Sequence, residues 1–143
     1  MTPFYLYIVV AVLSSVLYHL FQKATSANVN PAIGLIVTYL TALALCLPLL
    51  ILFPLGSSVR EAFRKLNWAS FALGFAIVGL EVGFLLAYRA GWNVSLAGIA
   101  SNTTAALILL PAGILLFREK PAPVNLLGVL VCILGLVMIN LRR

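Results

Sequence analysis

The chain has 143 residues, of which 64% are hydrophobic and 8% are charged, and its formal net charge is +6. Charged residues occupy about a quarter of a soluble domain, so this composition excludes a soluble domain and indicates an integral membrane protein. The positive charge does not indicate a nucleic-acid partner, because the Lys and Arg residues lie at the ends of apolar runs, as they do at membrane interfaces.

Five apolar runs are long enough to cross the roughly 30 Å hydrocarbon core of a bilayer. In chain order they are Phe4–Phe21, Ala32–Leu55, Trp68–Tyr88, Val94–Phe117 and Val124–Leu141. The fold class that follows is an all-α integral membrane protein, a five-transmembrane-helix bundle in which residues 1–143 form a single membrane domain. Because the connections are short, the function must lie within the bundle or between copies of it, in contact with the lipid bilayer.

The longest connection, residues 56–67, has the pattern of a short helix on the membrane surface. Ser58 and Glu61 are spaced as a capping box. Apolar residues then recur at helical spacing, with basic residues between them. The sequence therefore predicts an interfacial helix at about residues 58–66.

Positive charge is divided almost evenly between the two sides of the membrane. With five spans, the side of the N-terminus carries Arg60, Arg64, Lys65, Arg118 and Lys120. The other side carries Lys23, Arg89, Arg142 and Arg143. The positive-inside rule orients a protein through a clear excess on one side. Two interpretations stay open: a weakly oriented protein fixed by other details, and dual topology, in which oppositely inserted copies pair antiparallel.

Glu81 is one of only three acidic residues and lies near the middle of the third span. A carboxylate at the bilayer centre costs about 2.5–3.5 kcal/mol on insertion scales, so it normally faces the bundle interior or a water-filled cavity. Glu81 therefore indicates a site for a proton, a cation or another ligand. The alternative is a protonated acid that hydrogen-bonds to a neighbouring helix.

A second polar stripe lies on the first span, where Ser15, His19 and Lys23 recur at four-residue spacing. Residues at this spacing share one helix face. The stripe either lines a binding site or extends to the membrane interface, and the interfacial interpretation suits Lys23 and its neighbour Gln22 best. For His19 both interpretations stay open.

Further polar and helix-breaking residues lie inside the other spans. Asn102 needs a partner at membrane depth and fits either an interhelical hydrogen bond or a binding site. Tyr88 is assigned to the same site, whereas the other aromatic residues near span ends are interface anchors. Pro48 and Pro111 each remove a backbone hydrogen bond and predict helix kinks, which favour a transporter over a static scaffold.

The last span carries small residues at Gly128, Cys132 and Gly135, a stripe that lets another helix approach closely. This stripe packs either within one subunit or against a second copy. We find no nucleophile–base pair, phosphate-binding loop or metal-ligand spacing in the sequence, so no enzymatic activity, cofactor or metal is expected.

Residues 95–140, SLAGIASNTTAALILLPAGILLFREKPAPVNLLGVLVCILGLVMIN, combine small residues, a mid-helix proline, a glutamate (Glu119) closing the fourth helix and a Gly-rich final helix. This pattern resembles the last two helices of the drug/metabolite transporter superfamily, and nearly the whole chain resembles one five-helix EamA-like repeat. Many members carry two such repeats, inverted around a central site. A single repeat implies that two copies meet, which together with the charge division favours an antiparallel homodimer.

The resemblance extends in part to the small multidrug resistance relatives. These pair through a glycine-containing final helix, a role that the Gly128–Gly135 stripe matches. They carry their essential glutamate on the first helix, where this chain has His19, while its own buried acid is Glu81 on the third.

The resemblance and the residues together predict a secondary transporter in the cell (inner) membrane, which exports small metabolites such as amino acids or amphipathic compounds by alternating access across a dimer. Glu81 binds a proton or the substrate's amine, and further polar contacts come from His19, Tyr88, Asn102 and Ser15. The alternatives are a non-transporting membrane subunit of a larger complex and a lipid-carrier flippase subunit.

Overall fold

The computed structural model describes residues 2–25, 27–56 and 58–141. These residues form six α-helices: α1 Thr2–Ala24, α2 Pro31–Leu52, α3 Val59–Arg64, α4 Trp68–Arg89, α5 Val94–Phe117 and α6 Pro123–Asn140. Within the described ranges, four stretches are long and apolar enough to cross a membrane: Tyr5–Ala24, Pro31–Leu52, Trp68–Arg89 and Val94–Phe117. The chain is therefore an all-α, multi-pass membrane protein, as its composition predicts.

The last helix, α6, is shorter than the four spanning helices, and its apolar stretch is Pro123–Met138. Its 18 residues rise about 27 Å at 1.5 Å per residue, slightly less than the roughly 30 Å of the hydrocarbon core. The fifth span therefore stays a prediction. Arg142 and Arg143, which were counted among the basic residues on the side opposite the N-terminus, lie outside the described residues.

Local chemistry sets both ends of α2. The side chain of Asn30 accepts a hydrogen bond from the backbone N–H of Ala32 at 2.9 Å, and Pro31 occupies the first helical position. The helix ends at Leu52, three residues before the predicted end of the span. Pro54 explains this difference, because a proline disfavours helical geometry at the residue before it.

The connection between α2 and α4 contains the short helix α3, which is six residues long. The Ser58 side chain caps it by accepting a hydrogen bond from the backbone N–H of Glu61 at 3.4 Å. Phe63 on this helix is 68% exposed, as an apolar side chain facing lipid would be. Its position on the membrane surface stays a prediction.

Two prolines lie inside spanning helices, Pro48 in α2 and Pro111 in α5, and both helices continue through them. Each proline lacks the N–H that would bond to the carbonyl four residues earlier. The predicted kinks at these positions stay predictions.

The chain divides into two compact units, residues 1–90 and 91–143. In the first unit α4 packs against both α1 and α2. Among the described residues of this unit, the buried side chains are Leu85 and Tyr88 of α4 and Leu35 of α2. Since α4 contacts both neighbours, it is the central helix of this unit, and it is also the helix that carries Glu81.

In the second unit α5 packs against α6, and α5 ends in a left-handed turn that folds Glu119 back over the helix. Arg118 has φ 54°, and the backbone N–H of Glu119 donates to the carbonyl of Gly113 at 3.1 Å. A Cβ atom at the buried Gly113 would lie 2.5 Å from Oε2 of Glu119. The glycine therefore leaves room for the glutamate side chain that follows the helix.

Candidate functional site

The carboxyl group of Glu81 is held by a side chain from α1. Gln22 donates from Nε2 to Oε2 of Glu81 at 3.1 Å and to the backbone carbonyl of Glu81 at 2.8 Å. Both residues are half-buried. A polar group at membrane depth needs such a partner because lipid offers none. The sequence interpretation of Gln22 as an interfacial residue missed this contact.

His19 and Tyr88, which the sequence assigned to one site, meet between α1 and α4. Nδ1 of His19 and the hydroxyl of Tyr88 share a hydrogen bond of 2.8 Å, and Tyr88 is only 4% exposed. The imidazole ring also meets Phe84 edge-on, with 4.7 Å between the ring centroids, and Phe84 stacks on Tyr88. The tyrosine hydroxyl thus orients the imidazole within an aromatic wall.

Lys23 also turns towards α4. Its Nζ donates to the backbone carbonyl of Tyr88 at 3.1 Å and lies 5.7 Å from the centroid of the Tyr88 ring. An ammonium group near the last carbonyls of a helix is favoured by the helix dipole. Ser15, one turn before His19 on the same face, is half-buried, and its part in the site stays a prediction.

Two tyrosines that the sequence interpretation did not select, Tyr18 of α1 and Tyr39 of α2, also bury their hydroxyl oxygens in this unit. Tyr18 lies one helical turn before Gln22, the residue that donates to Glu81, and Tyr39 lies on α2, which packs against α4. Their hydroxyl oxygens are buried and have no hydrogen-bond partner within the described part of the chain. A signal existed in the sequence: both tyrosines lie inside apolar runs rather than at interfaces, and a buried tyrosine hydroxyl normally finds a partner.

An open groove of about 480 Å³ runs between α2 and α4 in the same unit. Its walls are almost entirely apolar, and they are formed by Tyr39, Phe71, Gly74, Phe75, Ile77 and Val78. We call this feature the α2–α4 groove. Since Ile77 and Val78 lie one helical turn before Glu81 on α4, the groove adjoins the polar residues of the site.

The arrangement around Glu81 suits a cation better than an anion. A carboxyl group and several aromatic rings lie together, and aromatic faces attract ammonium groups. Among residues 2–25, 27–56 and 58–141, no group of three or more His, Cys, Asp or Glu side chains could hold a metal ion. A carboxyl group in such surroundings can bind a proton or an organic cation.

The other predicted site residues lie on the second unit. Asn102 is exposed on α5. In the stripe on α6, Gly128 and Cys132 are exposed and Gly135 is half-buried. Their assignments, to substrate contact and to a dimer interface, stay predictions.

Replacing Tyr88 by phenylalanine removes the hydrogen bond to His19 and leaves the ring packing in place. We expect Tyr88→Phe to lower the free energy of unfolding by about 0.6 kcal/mol, the average for an interhelical hydrogen bond in a membrane. Denaturation in mixed micelles measures the change. Tyr7→Phe is the matched control because Tyr7 is 70% exposed on α1, and an equal effect of both variants would contradict the assignment.

In a comparison with known protein families, the match extends over all six helices. The family model described as the EamA-like transporter family matches residues 2–141. No curated protein and no solved structure matches the chain.

Proposed function

Because the chain belongs to the EamA-like transporter family, we propose that it is a secondary transporter that exports small metabolites such as amino acids or amphipathic compounds. Members of this family are transporters rather than enzymes. In the proposed mechanism Glu81 binds a proton or the amine of the substrate, and the two alternate on the same carboxyl group. His19 and Tyr88 form the aromatic side of the site, with Ser15 and Asn102 as further polar contacts.

The observation that carries this proposal is the position of Glu81. The residue lies within α4, the central helix of its unit, and Gln22 holds its carboxyl group against α1. A buried carboxylate is expensive in a membrane and normally serves a substrate or proton pathway. Its carboxyl group accepts from the uncharged amide of Gln22. A cationic ligand would add the charge partner that an amide does not supply, while Lys23 of the same helix donates to the backbone carbonyl of Tyr88.

We further propose that two copies pair antiparallel in the cell (inner) membrane and enclose the site by alternating access. The near-even division of basic residues supports insertion in both orientations. The stripe on α6 supports the interface, because Cβ atoms built at Gly128 and Gly135 would meet no atom within 4 Å. Small residues on an open helix face allow another helix to approach.

The two other functions considered from the sequence lack a comparable observation. A lipid-carrier flippase would be supported by a lateral opening lined with basic residues, but the walls of the α2–α4 groove contain none. In a purely structural subunit the carboxyl group would serve only its hydrogen bond to Gln22, a contact that an uncharged amide could make without the insertion cost of an acid.

The function is tested with purified protein in liposomes loaded with leucine or with octylammonium, the latter a single-tailed organic cation. An imposed pH gradient, acidic on the receiving side, should drive export of at least one of them. Liposomes that release neither solute faster than protein-free liposomes would contradict the proposal.

Reporter fusions at both termini test the dimer. We expect each terminus on both sides of the membrane. A single fixed orientation would exclude the antiparallel pair and leave a parallel pair or a different protein as the partner.

A further inference from the structure

The α2–α4 groove is separate from the hydrogen bonds around Glu81, and the proposed mechanism does not use it. Its volume of about 480 Å³ lies within the roughly 300–1,000 Å³ of known small-molecule sites. Apart from the phenol group of Tyr39, its walls offer only hydrocarbon and glycine. Such walls favour an apolar occupant and would leave the polar groups of any other occupant without partners.

The groove extends to within one helical turn of Glu81. Ile77 and Val78 of its wall precede Glu81 by four and three residues on α4. The ring of Tyr39 forms the α2 side of the wall. The hydroxyl oxygen is buried and has no hydrogen-bond partner within the described residues. An unbonded hydroxyl in an apolar setting is unfavourable, so a polar group brought within reach of this hydroxyl would be favoured there.

We propose that the α2–α4 groove binds the apolar tail of an amphipathic amine, whose ammonium group points towards Glu81. The amine enters sideways from the bilayer through the open side of the groove, and Tyr39 forms the α2 wall beside its tail. This inference rests on the proposed function, since it gives the substrate of that site a chemical class and a route. Charge selects this occupant: an anionic lipid head group would be repelled by the carboxylate that attracts an ammonium group.

Gly74 offers a way to fill the groove without disturbing the rest of the chain. It lies in the groove wall, and a Cβ atom built on it would meet no atom within 4 Å. Gly79 on the same helix is equally open but does not line the groove. Gly74→Phe therefore obstructs the groove, and Gly79→Phe is the matched control for a bulky residue on α4.

The test uses octylammonium with a photoreactive diazirine at the end of its tail. The full-length protein in lipid nanodiscs is labelled with and without excess unmodified octylammonium, and the labelled residues are mapped by mass spectrometry. We expect labelling of residues 71–78 that the excess amine removes. In Gly74→Phe this competed labelling should fall at least about tenfold, the effect of a methylene group or two in an apolar pocket, and in Gly79→Phe it should persist.

Three results would overturn the groove assignment: labelling of residues 71–78 that excess amine does not remove, competed labelling that Gly74→Phe leaves unchanged, or equal loss in both variants. The first would identify ordinary bilayer lipid as the occupant. A protein that exports octylammonium without competed labelling here overturns the groove alone. Competed labelling without export of octylammonium or leucine overturns the proposed function and leaves the groove as a binding site.

Discussion

Replacing Glu81 by glutamine abolishes pH-driven export of octylammonium by the reconstituted protein. Glutamine has nearly the same shape and can still hydrogen-bond to Gln22, so the contact between α1 and α4 persists. It carries no charge at any pH, and the ammonium group loses its partner. Loss of one partner from a buried charge pair costs about 2–5 kcal/mol, which corresponds to a fall in amine affinity of about 30-fold or more. Exchange with protons is lost as well, because the side chain no longer titrates.

The chain provides its own controls for this experiment. Its two other acidic residues are Glu61 on α3 and Glu119 after α5, and both are exposed. We expect Glu61→Gln and Glu119→Gln to export the amine at close to the wild-type rate across the same pH gradient. Full pH-driven export by Glu81→Gln would show that Glu81 does not couple export to protons. Loss of export in all three variants would show that export depends on the net charge of the protein rather than on the site at Glu81.

Helix positions were the most predictable part of this protein. A spanning segment must satisfy its own backbone hydrogen bonds, so apolar runs bounded by polar and proline-containing segments specify helices closely. The predicted fourth run and α5 both cover Val94–Phe117. The error at the end of α2 is also local, because Pro54 is visible in the sequence and ends the helix early.

The helix faces were much less predictable than the helices themselves. In a soluble helix the apolar face identifies the core, but a membrane helix is apolar on its lipid side as well as its packed side. Composition therefore located Glu81, and four-residue spacing located His19. Neither could identify Gln22 as the donor, because that contact depends on how α1 and α4 are aligned. Gln22 and Lys23 have the local pattern of interfacial residues and yet turn towards α4.

The contact between Gln22 and Glu81 gives the largest expected effect on stability. Gln22→Leu removes both hydrogen bonds to Glu81 and leaves the carboxyl group without a donor in the described part of the chain. We expect the free energy of unfolding to fall by about 1–3 kcal/mol, the cost of an unsatisfied buried polar group. This exceeds the roughly 0.6 kcal/mol of an average interhelical bond, because the group that loses its partner is a carboxyl group.

A double-mutant cycle separates this hydrogen bond from simple packing. Replacing both partners of a buried polar pair with apolar side chains is often neutral or stabilising. The double variant Gln22→Leu with Glu81→Leu should therefore be more stable than Gln22→Leu alone, with a coupling energy of about 1–2 kcal/mol within the usual range for residues in contact. Unfolding of the four proteins in mixed micelles measures the cycle. Strictly additive changes would mean that the amide and the carboxyl group do not interact, and that Glu81 is held in the membrane by other groups.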